Sequence, residues 1–112
     1  MLPSLLEQGD LLIAISTGGK SPALAKKVRM QLEEQFGHEY EAFLLLMGSL
    51  RKDILSRGLS ANENRRIFQN LVDADVLEAI RNHDWKALSS TLNRILGAAY
   101  SPEEIKVLLE RE

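Results

Sequence analysis

A mainly α-helical chain with one β-hairpin is the fold class that this 112-residue sequence predicts, and three features predict it. Two short apolar runs, Pro3-Ser4-Leu5-Leu6-Glu7 and Leu11-Leu12-Ile13-Ala14-Ile15-Ser16, flank Gln8-Gly9-Asp10, the pattern of two strands joined by a tight glycine turn. Everything after Gly19 carries helical periodicity and capping residues. A chain of this size buries roughly 65% of its unfolded surface, enough for a modest core. The expected architecture is a hairpin with a linking helix over residues 1–36, followed by a small helical bundle over 37–112.

Leu11 to Ile15 shows no polar alternation, which predicts a strand covered on both faces. An isolated two-stranded hairpin is marginal in water, so this one is expected to pair with another chain or a further domain. Ser21 reads as an N-cap with Pro22 at the first helical position, and Leu24, Val28 and Leu32 recur at four-residue spacing until Phe36-Gly37. A second helix is expected from about Glu39 to Ser56, with Tyr40, Phe43, Leu44, Met47, Leu50 and Ile54 on one face and Gly58 at its end. Ser60 with Glu63 forms a capping box for a third, through Ile67, Phe68 and Leu71. Shorter helices follow: Val76 to Arg81, then an Asp84-capped run of Trp85, Leu88, Leu92 and Ile95 up to Gly97, and a Ser101-Pro102 start carrying Ile105, Leu108 and Leu109.

Composition excludes several classes of function. Hydrophobic residues make up 45%, charged residues 27%, and the net charge is -2, so nucleic-acid binding has no support. There is no cysteine, and the two histidines, His38 and His83, have no ligand spacing, so no metal site is expected. His38 reads as a partly exposed helix-entry residue and His83 as part of a turn. No apolar run approaches the roughly 20 residues of a membrane span, and no signal segment is evident, so a cytoplasmic protein without membrane contact is expected. Charge is uneven: Lys20 to Arg66 holds nine basic and six acidic residues, against five and eight from Ile67 to Glu112. The first block is the better candidate for an anion.

The stretch Ile13 to Lys26, IAISTGGKSPALAK, carries the strongest local signal. It is not a P-loop, which would need a glycine at the position of Ala14. The strand, Ser-rich turn and helix of phosphosugar isomerase domains are a closer rival, but those domains continue as repeated strand-helix units. Gly18 and Gly19 permit positive φ and close approach of a ligand, and the helix N-terminus beyond them presents unpaired N–H groups. The helix opened by Ser101 carries Glu103 and Glu104 in its first turn, whereas the one opened by Ser21 carries only Ala23, Leu24 and Ala25. That leaves the Ser21 terminus open to an outside anion, with Ser16, Thr17, Ser21 and Lys20 as further donors. A tight strand-to-helix connection without a ligand accounts for the same residues.

Arg51 lies four residues after Met47 and three before Ile54, near the centre of the expected apolar face of the second helix. Such an arginine needs an acidic partner, a stem that snorkels to water, or a ligand carboxylate held bidentately, with Lys52, Arg65 or Arg66 close by. Met30 faces away from Leu24 and Leu32, marking a second contact surface on the linking helix.

Leu2 to Glu34, LPSLLEQGDLLIAISTGGKSPALAKKVRMQLEE, resembles the segment of siroheme synthases that follows their NAD-binding domain. LRKDILSRG (Leu50 to Gly58) and NRRIFQNLVD (Asn64 to Asp73) resemble that family's helical part. The family comprises precorrin-2 dehydrogenases, which use NAD to oxidise precorrin-2 to sirohydrochlorin, and many members also insert ferrous iron as sirohydrochlorin ferrochelatases. The resemblance implies a homodimer joined through the hairpin and linking helix. It also implies tetrapyrrole carboxylates bound by Ser16, Thr17, Gly18, Gly19, Lys20, Ser21, Arg51 and Arg65. Neither the G-x-G-x-x-G fold nor the family's acid-base aspartate stands in these residues. The chain is therefore expected to be part of a longer parent that supplies them, with no catalytic, NAD-binding or metal-binding residue of its own and no dehydrogenase activity alone.

Overall fold

In a computed structural model, which describes residues 2–97 and 100–109, two strands and six helices follow the expected order. Strands β1 (Ser4–Gln8) and β2 (Leu11–Ile15) pair antiparallel in a register that sets Leu6 opposite Ile13 and Leu5 opposite Ala14. Helices α1 (Pro22–Gln35), α2 (Glu39–Ser56), α3 (Ala61–Asp73), α4 (Val76–Arg81), α5 (Trp85–Leu96) and α6 (Pro102–Leu109) complete the chain. It divides into two compact units, Met1–Leu44 and Leu45–Glu112, the division falling inside α2.

In the first unit the pleat of the hairpin decides what is buried. Leu6 is 1% exposed on the face that α1 covers, while Leu12, one residue out of phase with Ile13, is 59% exposed. The single chain therefore covers one face of β2 and not both; Leu5, Leu12 and Ala14 stay open on the other. On α1 the inward stripe runs through Ala25, Val28, Arg29 and Leu32 at helical spacing, and Leu24, expected on that face, is turned outward. A small Ala25 lets the helix approach the sheet closely. Arg29 fastens the two, its Nε donating to Ser4 Oγ at 3.0 Å while its guanidinium pairs with Glu33 one turn along. Gly9 turns the hairpin with φ +61°, and a Cβ there would meet Cγ, Cβ and Cα of Glu41 at 2.6–3.1 Å.

In the second unit α5 is the hub, packing on α3, α4 and α6 through Leu88, Ser89, Leu92 and Leu96. The capping residues work as their spacing predicts: Ser60 Oγ accepts from Glu63 N, Asp84 Oδ1 from Ala87 N and Ser101 Oγ from Glu104 N, each at 3.1 Å. Gly97 closes α5 in the left-handed conformation at φ 65°. His83 sits in the α4–α5 turn with φ 54°, its ring beside Trp85.

The buried residues of α2 are Phe43, Leu46, Leu50 and Ile54, which corrects the expected face. Leu46 joins the stripe, Tyr40, Leu44 and Met47 are half-buried, and Arg51 stands roughly a quarter-turn from the stripe's centre. Arg51 is consequently exposed rather than buried, because a run of three leucines at Leu44-Leu45-Leu46 let the register be read one way or the other.

A polar clasp closes this unit. Tyr100 OH donates to Asp53 Oδ2 at 2.6 Å, Arg57 donates to the same carboxylate at 3.0 Å, and its other nitrogen donates to Leu96 O at 2.7 Å. That last bond satisfies one of the carbonyls left free at the end of α5. Asn93 Oδ1 accepts from Tyr100 N at 2.7 Å, and Ser89 Oγ donates to Tyr100 O. The Tyr100 bond, aided by Arg57, holds the Asp53 carboxyl below its ordinary value of 3.8, outweighing partial burial. Burial first, then the hydrogen bond to Asp53 and its charge, push the Tyr100 hydroxyl above its ordinary 10.0.

Two measurements test these assignments. Gly9→Ala is expected to lower unfolding stability by about 1–3 kcal/mol, whereas Gly48→Ala, in open space on α2, raises it by about 0.5–1 kcal/mol. Tyr100→Phe is expected to cost about 1 kcal/mol near neutral pH, discounted for a half-exposed Asp53. A depressed carboxyl contributes above its unfolded pKa and loses that contribution on acidification, and a raised phenol loses its own on alkalinisation. The gap between wild type and Tyr100→Phe in pH-dependent denaturation should therefore narrow below 3.8 and again above 10.0.

Candidate functional site

The chain between β2 and α1 reverses in four residues. Lys20 N donates to Thr17 O at 3.2 Å, and the two residues between them, Gly18 and Gly19, have φ of 65° and 75°, the sign pattern of a type I′ turn. Any side chain at these two positions is strained. The Lys20 side chain folds back so that Nζ lies 3.6 Å from the point where a Gly18 Cβ would stand. A positive charge thus sits beside the glycine backbone.

Hydroxyl groups brace the reversal, and this modifies the expectation that they face a ligand. Thr17 Oγ1 accepts from Ser21 N and donates to Ser21 O, both at 3.1 Å. Ser16 Oγ accepts from Gly18 N at 3.2 Å, and Ser21 Oγ accepts from Leu24 N at 3.1 Å as the N-cap of α1. Thr17 is therefore spent inside the turn as both donor and acceptor, while Ser16 and Ser21 each keep a hydroxyl proton to donate. No acidic residue occupies the first turn of α1, whereas Glu103 and Glu104 occupy that of α6. The terminus offered to an anion consists of Lys20, the Ser16 and Ser21 hydroxyls and a helix dipole without an internal counter-charge.

The remaining expected residues belong to the second unit. Arg51 is exposed on α2, with its guanidinium carbon 5.1 Å from the centre of the Phe68 ring on α3. Arg65 stands one turn before Phe68, its Nη1 donating to Asn62 Oδ1 at 3.3 Å. Asn62, Arg65, Arg66, Gln69 and Asn70 line an open groove of about 410 Å³ on α3. Of the eight expected residues, Ser16 to Ser21 stand together in the reversal, Arg51 stands beside Phe68, and Arg65 lines the groove on α3. Sequence reading missed Phe68 as the partner of Arg51, and it missed the Asp53–Arg57–Tyr100 clasp, although the four-residue spacing of Asp53 and Arg57 signalled an ion pair.

The single sheet of the described residues is an antiparallel hairpin, and Gly18-Gly19 is followed by Lys20-Ser21-Pro22 without a third glycine. Among these residues no group of three or more His, Asp or Glu could hold a metal ion, and no helix is long and apolar enough to cross a membrane.

The family described as "Sirohaem biosynthesis protein central" matches residues 8–35, the segment from the end of β1 through the reversal and α1. Siroheme synthase 3 of Aeromonas hydrophila subsp. hydrophila is 33% identical over 104 residues, 92% of this chain and 21% of that protein. Siroheme synthase 1 of Aeromonas salmonicida is 33% identical over 110 residues, 97% of this chain and 23% of that protein. The solved structure of SirC, precorrin-2 dehydrogenase, superposes with a TM-score of 0.71 at 20% identity, over 88% of this chain and 47% of that one, which establishes the shared fold. The chain is similar to siroheme synthases over nearly all of its own length, and it spans about a fifth of the length of the curated relatives it matches.

Thr17→Val, which keeps the side-chain shape and removes both bonds to Ser21, is expected to lower stability by about 1–2 kcal/mol in chemical denaturation. Thr17→Ser should retain most of it.

Proposed function

We propose that this chain is the dimerisation and tetrapyrrole-binding part of a siroheme biosynthesis enzyme. In this reading its parent oxidises precorrin-2 to sirohydrochlorin with NAD in the cytoplasm; ferrous iron is a substrate where the parent also carries the chelatase activity that many such enzymes have. The observation that carries the reading is the pairing of a family-matched reversal with an uncompensated helix N-terminus beside Lys20. A tetrapyrrole with acetate and propionate arms brings the carboxylates such a terminus favours, and exposed guanidinium groups at Arg51 and Arg65 bind carboxylates bidentately. The chain's share of the chemistry is to hold and orient those arms. In this reading NAD is held by another part of the parent.

The open outer face of the hairpin supports the homodimer. Leu5 and Leu12 are 47% and 59% exposed there, and Leu24 and Met30 on α1 are 50% and 52% exposed. Apolar side chains concentrated on one small unit mark a surface that another chain covers. A second reading, a dimer scaffold without a ligand site of its own, draws on one observation: the Thr17 hydroxyl is fully used inside the turn.

Anaerobic titration of sirohydrochlorin, followed by absorbance, separates the two. Saturable binding that weakens about tenfold in Lys20→Ala and in Arg51→Ala is expected, since each removes one charge-assisted contact. Absence of binding from a sample that sediments as a dimer would select the scaffold reading, and Leu12→Lys should convert that dimer to monomer.

A further inference from the structure

We infer that Phe68 is a positioning residue, holding Arg51 as a pre-oriented cation for a carboxylate of the tetrapyrrole; the inference rests on the function proposed above. Three observations carry it. Arg51 is exposed, so its charge needs no internal partner, yet its guanidinium is not left to wander: it stands 5.1 Å from the centre of the Phe68 ring. The acid close to it in sequence, Asp53, is already committed to Arg57 and Tyr100. And Arg51 makes no hydrogen bond or ion pair among the described residues, so none of its five N–H donors is spent on them.

A contact with an aromatic ring suits a waiting arginine better than a salt bridge does. An acidic partner would occupy the same N–H donors that a ligand carboxylate requires and would have to be displaced on binding. The ring attracts the cation through its quadrupole and consumes no donor. It also removes part of the rotamer freedom that a long side chain otherwise loses when the ligand binds, which is how pre-organisation raises affinity. Phe68 is itself half-buried on α3, a helix fixed at its start by the Ser60 cap and in the core by Leu71. The ring is thus a stable platform. Arg65, one turn earlier on the same helix, is held by a hydrogen bond to Asn62.

The test is a titration with uroporphyrin, a stable porphyrin carrying the same kinds of acetate and propionate arms, using wild type, Phe68→Leu, Phe68→Tyr, Arg51→Ala and the Phe68→Leu/Arg51→Ala double variant. The Arg51 side-chain proton shifts are recorded alongside as a ring-current readout of the stack. Phe68→Leu keeps an apolar side chain and should weaken binding about two- to fivefold, with loss of the ring-current shift. Phe68→Tyr should restore both, an outcome that a purely space-filling role would not produce. In the Arg51→Ala background, Phe68→Leu should cause no further loss. Wild type that binds the porphyrin while Phe68→Leu binds equally well overturns this inference alone. Wild type that shows the ring-current shift and does not bind the porphyrin overturns the tetrapyrrole reading and this inference with it.

Discussion

The reversal at Gly18-Gly19 is the constraint on which the first unit depends. Two strands of five residues expose two faces, and only a chain that turns back immediately after Ile15 can lay a helix on one of them. Two successive residues at positive φ make that turn within four positions, and Thr17 locks it by clamping both backbone groups of Ser21. Ser21 then becomes the N-cap, Pro22 starts α1 at its fixed φ, and α1 packs on β1 with Ala25 and Leu6 both buried. The same geometry leaves the helix N-terminus pointing outward without an acidic residue to neutralise it. The structural solution and the proposed anion site are one feature.

In the second unit, polar groups complete what apolar packing begins. α5 gathers α3, α4 and α6 by burying leucines, but its C-terminal carbonyls and the backbone of Tyr100 still need partners. Arg57, Asn93 and Ser89 supply them, and Asp53 ties Arg57 and Tyr100 together. The cost of ordering a salt bridge at a half-exposed site is offset because each charge also serves a backbone or hydroxyl group. Asp53 is thereby withdrawn from Arg51, whose guanidinium stands beside the Phe68 ring with its donors left free of that carboxylate.

Most of the secondary structure was legible in the sequence because it is written in local signals. Caps at Ser21, Ser60, Asp84 and Ser101, and the left-handed glycine at Gly97, act within a turn of themselves and need no tertiary partner. The face of α2 was not legible in the same way. Tyr40, Leu44, Met47 and Arg51 form a helical row, and so do Phe43, Leu46, Leu50 and Ile54; only packing selects between them. For the site, the residue types Ser16 to Ser21 and Arg51 were evident, but not that Thr17 is consumed inside the turn, nor that Phe68 accompanies Arg51.

By itself, the sequence determined the order and limits of the elements, the absence of thiolate ligands, and the family likeness of Leu2 to Glu34, since each follows from residue identity and short-range spacing. Tertiary structure alone decided which row of α2 is buried, which face of the hairpin stays open, and which hydroxyls and guanidiniums are spent. Those outcomes depend on contacts between segments distant in sequence, such as Asp53 with Tyr100 across 47 positions, which no local pattern encodes.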